Sequence, residues 1–387
     1  MGREKNERLE ELFAKNVPVY SYSKLSTFVQ CKYNYYEGYI LKQRSKDNIY
    51  SAVGSVLHDG LELLYKENRP IKETEKEFFD KIKEVGEKGI KFPENPPTTK
   101  SNYIKNISHF FDNYKKMDTK MITEQFVLIS IPRFEGATED KDMILIQAYI
   151  DSIYPVYEEI DGERKLKSVV VNDWKTSSKF DKNALAKASK QLLLYKIGVE
   201  QSTGVPVSTI GWNMLKYVYC CTYGAKGQIK RSAMQQRKDS VKFFTKSLVK
   251  DLIKDNMDTM EAELLVGKCV ANNSFEFLPD HIKKNYWIED CFLTYDFDDD
   301  IVESTKQWVI DTVTEIESLG NDVNNYEAIE INEKNNFFCN QLCGRPKCPQ
   351  LIKYNNDNRD KFKKDKKVEE IDSKLGKSKI NLDKLFL

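Results

Sequence analysis

Asp173 and Lys175 stand two residues apart at the end of an apolar run, VVVNDWKT. On a β-strand their side chains share a face with Val169 and Val171. Two opposite charges closing a core-facing strand need a partner. The preceding run, ILIQAYID, carries another apolar strand into a carboxylate, Asp151. If the two strands pair as neighbours, two carboxylates and one ammonium meet at one sheet edge. Carboxylates held together repel unless something positive lies between them, and a hard divalent cation such as Mg²⁺ suits an all-oxygen set. A short D-x-K also occurs as a plain ion pair at a strand end, and on these residues alone that alternative stays open.

The next helix, NALAKASKQLLLYKIG, places Gln191 and Tyr195 four residues apart on one face, beside Leu192 and Leu194. They read either as the polar edge of a packed helix or as groups turned to the same site. His58, in GSVLH, falls on the apolar stripe of an earlier helix, four residues after Gly54. A lone histidine there is most simply a buried, hydrogen-bonded one.

These residues need a sheet with helices against it, and the patterning supplies both. Val53, Leu57, Leu61 and Leu64 form one helical stripe, a charged helix follows from about Ile71 to Gly89, and FPENPPTT breaks it. A further helix is expected over 101–117. Three β-branched, aromatic-rich runs then read as a meander of strands: EQFVLISIPRF, DMILIQAYIDSIYPVY and KLKSVVVNDWKT. A helix over 181–200, a strand in TIGWNMLKYVYCCTY and two long helices, about 236–265 and 301–319, complete an α/β or α+β layered domain.

In this order, GSVLH, AYID, DWK and QLLLY resemble the RecB-like branch of the PD-(D/E)XK nuclease superfamily, over about residues 20–350. The resemblance implies an α/β restriction-endonuclease-like core, a mixed central sheet flanked by helices, with helical insertions. It implies His58, Asp151 and Asp173 as ligands of Mg²⁺ or Mn²⁺, with the Trp174 carbonyl as a further one. By it, Lys175 activates or orients the attacking water, and Gln191 and Tyr195 support the scissile phosphate and Lys175. Glu124, in TEQF, falls where many members carry an acidic residue. Phosphodiester hydrolysis needs a hydroxide near neutral pH and something to offset charge on the pentavalent phosphate, and bound metal ions supply both. A lysine beside such a cation has its ammonium form disfavoured, which suits a general base.

CNQLCGRPKC places Cys339, Cys343 and Cys348 in one short loop, and STFVQCKYNYY holds Cys31. Three clustered thiols lack the fourth ligand of a tetrahedral site, and Cys31 is the obvious one; on spacing alone zinc and an iron–sulfur cluster suit equally. One cysteine before the core and three after it resembles the iron–sulfur staple of the CRISPR-associated RecB-like exonucleases and the AddB nuclease subunit. That implies a 4Fe–4S cluster, with zinc as the alternative. Members space the loop cysteines by two and then five residues, whereas here the gaps are three and four over the same span. Cys220, Cys221, Cys269 and Cys291 read as unrelated core cysteines.

Around Cys31, Tyr33, Tyr35, Tyr36 and Tyr39 interleave with Lys32, Lys42, Arg44 and Lys46. This is either a channel that stacks single-stranded bases or tyrosines packed on a sheet. The stretch 226–238 is a second basic segment, most simply a solvated turn.

With 61 basic and 60 acidic residues, no global field favours a polyanion, so any nucleic-acid surface is local. No apolar run spans a bilayer, MGREKNERLEELFAKN lacks a signal-peptide core, and Asn6 departs from a myristoylation signal, so a cytoplasmic protein with no membrane partner is expected. No repeat or linker divides the chain. A single domain over 1–352 is expected, with a helical insertion at about 60–120, a catalytic core at about 121–235, C-terminal helices and the cysteine loop over 236–352, and a charged, flexible tail over 353–387 ending in an apolar INLDKLFL. The expected substrate is DNA, single-stranded or with free ends. No Gly-x-x-x-x-Gly-Lys-Ser/Thr loop is present, so a helicase motor would be a separate replication or recombination partner. The competing readings are a nuclease-fold protein that binds DNA or a partner without cutting, and a zinc-stabilised scaffold.

Overall fold

The structure is a computed structural model and describes residues 6–224 and 226–358. They divide into two compact units, drawn from 6–25 with 48–315 and from 26–47 with 316–358.

The first unit is built on an eight-stranded mixed sheet: β1 (Val19–Tyr20), β2 (Ile122–Pro132), β3 (Met143–Ile160), β4 (Glu163–Lys175), β5 (Val207–Tyr223), β6 (Ile229–Arg231), β7 (Gln235–Gln236) and β8 (Tyr286–Tyr295). β2, β3 and β4 form the expected antiparallel meander. β4 and β5 run parallel, so the chain between them must cross back, and the helix Lys182–Thr203 makes that crossing. Asp181 starts this helix by accepting the Ala184 N–H at 2.8 Å, and Gly204 ends it in the left-handed region at φ 70°. The α/β class with a mixed central sheet and flanking helices agrees with expectation.

The first long helix, Ile49–Glu67, begins where Asn48 accepts the Ser51 N–H and ends at Asn68 in the left-handed region. Its stripe of Val53, Leu57, Leu61 and Leu64 is buried with Phe78, Phe110, Phe111 and Trp174 in one cluster. Gly60 permits the close approach of the helix Ile71–Glu87, because a Cβ there would lie 2.1 Å from Thr74 Cγ2. A third helix, Thr99–Asn113, packs in the same cluster and stops four residues before the expected end.

Two expectations fail locally. The single helix over 236–265 is instead a set of shorter ones, including Thr245–Lys254 and Thr259–Asn272. Asn256 adopts φ 67°, which ends the first, and Asp258 accepts the N–H groups of Met260 and Glu261 to start the second. β8 was not expected at all, yet it pairs with most of β5. Cys220, Cys269, Cys291 and Cys221 are buried core residues, as expected.

In the second unit, Phe28, Tyr35, Tyr36 and Tyr326 pack ring against ring, with centroids 5.1 to 6.5 Å apart. Tyr35 and Tyr36 are buried, so they form a core rather than a surface for bases, whereas Tyr39 stays 38 % exposed. The helix Pro349–Asp357 takes up the first residues of the expected tail; 359–387, with the apolar end, lie outside the described residues. Among the described residues no helix is long and apolar enough to cross a membrane.

Candidate active site

The pairing of β3 with β4 runs from Ile160↔Glu163 to Ser152↔Asn172 and stops there. One step further, the same register sets Asp151 opposite Asp173. The strands fork at this point. The Asp151 carboxylate enters the fork and accepts the Trp174 N–H at 3.2 Å, a donor the broken ladder leaves over. On the other side of β3, Thr123↔Ser152 and Gln125↔Ile150 bracket a skipped pair that sets Glu124 opposite Asp151. Glu124, Asp151 and Asp173 therefore lie in one row across three strands, and residues directly opposite share a face.

The row continues in charge. His58 Nδ1 lies 3.1 Å from Asp151 Oδ2, and Lys175 Nζ lies 2.6 Å from Asp173 Oδ2. Asp173 is 1 % exposed, and burial, then the neighbouring Asp151, push its carboxyl up to about 7 against the pull of Lys175. Burial also works against ionised Asp151, but His58, Asp173 and Lys175 outweigh it and hold that carboxyl below its usual range. The same carboxylates, against burial, raise both His58 and Lys175. Lys175 is thereby favoured as an ammonium.

From the crossover helix, Gln191 Nε2 donates to the Tyr195 hydroxyl at 2.7 Å. Burial first, then Asp173, Asp151 and Glu124, raise the Tyr195 phenol, so these carboxylates are its charged neighbours. The structure thus brings together His58, Asp151, Asp173, Lys175, Gln191 and Tyr195. Trp174 is fixed by stacking on Tyr65, with centroids 6.3 Å apart.

Sequence reasoning missed Tyr22. Burial raises its phenol, with Lys175 and Asp173 its charged neighbours, and its hydroxyl donates to the Lys187 carbonyl at 3.0 Å. Nothing in SYSKLS marks it, because it arrives from a distant helix.

Glu124 is also a backbone exception, with φ 51° inside a strand. A non-glycine residue held left-handed costs of order 1 kcal/mol or more and persists where the surroundings require it. Glu124→Gly adopts this backbone freely and lacks the carboxylate. We expect its melting temperature to hold or rise while cleavage falls roughly tenfold to a hundredfold. Paired thermal melts and rate measurements test this, and unchanged cleavage removes Glu124 from the site.

The donors fit a hard cation in kind: two carboxylates, one deeply buried and raised chiefly by that burial, with an imidazole beside them. As placed, no three described His, Cys, Asp or Glu side chains are gathered to hold a metal ion.

In the second unit the thiols of Cys31, Cys339, Cys343 and Cys348 lie within electrostatic reach of one another. Burial, then Cys31 and Cys348, push the Cys339 thiol up to about 11; burial, then Cys31 and Cys339, push Cys343 up to about 12. Arg345 ties their loop down, donating to Asn34 Oδ1 at 2.8 Å and to the Gln43 carbonyl at 2.7 Å. Gly344 accepts the Lys46 N–H at φ 68°, where a Cβ would lie 2.4 Å from the Lys46 oxygen. Four thiols suit a soft metal in kind.

A mixed sheet with flanking helices, forked over two facing carboxylates and a lysine, defines a nuclease-like class of protein. The model of the PD-(D/E)XK nuclease superfamily matches residues 19–343, and the chain belongs to that superfamily. Its members are generally hydrolytic nucleases that typically use divalent metals, and the α/β architecture is consistent with a restriction-endonuclease-like fold. No curated protein matches the chain significantly.

Proposed function

We propose that this chain is a metal-dependent DNA nuclease of the RecB-like branch. It acts as an exonuclease on single strands or DNA ends, in recombination, repair or replication. The observation that supports this reading is the fork in which Asp151 faces Asp173 with Lys175 against it. Asp151 and Asp173, with His58 and the Trp174 carbonyl, would hold Mg²⁺ or Mn²⁺. Such a cation, when bound, lowers the pKa of water and offsets phosphate charge.

The chain's own groups do the positioning. Lys175, 2.6 Å from Asp173, orients the attacking water and meets charge on the phosphate. Tyr195 accepts from Gln191, which leaves its own O–H to donate towards a phosphate oxygen. We take 1–352 as one nuclease domain, since each compact unit is drawn from two chain segments and no single cut separates them. Cys31, Cys339, Cys343 and Cys348 are proposed as ligands of an iron–sulfur cluster, 4Fe–4S in type, with zinc as the alternative. A cytoplasmic location and a helicase, replication or recombination partner complete the reading.

Asp151→Asn is expected to weaken Mg²⁺ or Mn²⁺ affinity by about tenfold or more, read by metal titration calorimetry, because an amide replaces the charged ligand. An unchanged titration counts against its ligand role. Strand mode is read from DNA labelled at one end: a shortening ladder marks an exonuclease, internal fragments an endonuclease. The second reading is a nuclease fold that holds DNA or a partner without cutting. Intact protein that binds DNA and never cleaves it selects that reading.

A further inference from the structure

β5 breaks its pairing with β8 between Asn213 and Val218, leaving Met214–Tyr217 as a bulge. Bulges re-aim side chains and are common beside active sites, and this one is held from three directions. Arg237, 1 % exposed, donates from Nε to the Leu215 carbonyl at 2.7 Å, and its guanidinium pairs with Asp290, the register partner of Val218. The Lys179 N–H donates to the Tyr217 hydroxyl at 2.9 Å, which ties the loop after Lys175 to the same bulge.

The residue so presented is Lys216. Its Nζ lies 5.1 Å from the centre of the Tyr103 ring, and among the described residues it forms no ion pair. Burial holds its ammonium down at about 8, with no carboxylate to restore it. The Tyr103 hydroxyl is buried without a hydrogen-bond partner among the described residues, with Thr176, next in sequence to Lys175, acting on its phenol. In register Lys175 pairs with Met214, two residues before Lys216 in β5. Two cations beside it do have counter-charges: Lys175 has Asp173, and Arg237 has Asp290.

We infer that Lys216, seated on Tyr103 beside Thr176, is a subsite for a backbone phosphate next to the one being cut. A lysine binds phosphate as a point charge, and the incoming anion supplies the counter-ion that the fold withholds. The contact carries no base information, so it sets affinity and salt dependence and not sequence preference. This inference rests on the nuclease reading above.

The test uses the full chain, with EDTA present to prevent cutting, and a fluorescent single-stranded oligodeoxynucleotide titrated across a salt series. Lys216→Gln is expected to weaken binding about threefold to tenfold and to make the plot of log K against log salt shallower by roughly 0.7, the release from one phosphate on a single strand. Lys216→Arg keeps the charge and is expected to restore the slope. A Gln variant with wild-type affinity and slope overturns the inference and leaves the nuclease reading standing. So does weaker binding with an unchanged slope, which marks a packing role. Wild-type protein that neither binds nor cuts any nucleic acid overturns both.

Discussion

Asp173→Ala is expected to lower the rate of DNA cleavage by about a thousandfold while leaving the melting temperature unchanged or raised. The two effects part because Asp173 is costly where it stands. It is buried to 1 % exposure opposite a second carboxylate, and burial pushes it up to about 7 despite an ammonium 2.6 Å away. Alanine removes a desolvated, repelled group, and Lys175 keeps Asp151 as counter-charge. What the variant loses is the group that orients Lys175 and completes the carboxylate pair. Thermal melts beside kcat/KM decide the matter. If stability falls and cutting persists, the D-x-K is a plain ion pair at a strand end.

Cys343→Ser is expected to abolish the visible absorbance of anaerobically purified protein and to lower its melting temperature by roughly 10 °C, with a smaller loss of cleavage. Serine nearly matches cysteine in size, so the loss reports the ligand and not the packing. Cys343 is also the thiol whose burial and thiol neighbours raise it most in its loop, up to about 12, which is the environment a metal would reverse. Closing the long chain loop between Cys31 and Cys339 is where such a site would stabilise the fold. A variant that stays coloured and stable removes Cys343 from the ligand set. A colourless wild type that contains zinc selects the alternative metal.

The meander, the crossover helix and the apolar stripe of the first helix were legible because periodicity reports burial directly. So were the residues of the fork, whose carboxylates end apolar runs that otherwise read as core strands. β8 was not legible: in YWIEDCFLTY acidic residues interrupt the aromatic ones, and its pairing with β5 shifts register midway, so neither face keeps a clean alternation. Tyr22 and Lys216 were hidden for another reason. Their roles come from partners far along the chain, Lys187 and Tyr103, and no local pattern encodes such distances. Glu124 was visible by type, but its left-handed backbone and its place opposite Asp151 follow only from the register of β2 on β3. The tyrosines around Cys31 left two readings open, since the same interleaving serves a base-stacking surface or an aromatic core, and burial of Tyr35 and Tyr36 decides for the core.

The most direct test is a cleavage assay on end-labelled single- and double-stranded DNA with Mg²⁺ or Mn²⁺, comparing anaerobically purified wild type with Lys175→Ala. The account predicts metal-dependent cutting by the wild type that EDTA stops and the variant lacks, with the variant still folded and still binding DNA. Cutting by Lys175→Ala at the wild-type rate, or folded wild type that binds DNA and leaves it intact, would contradict it.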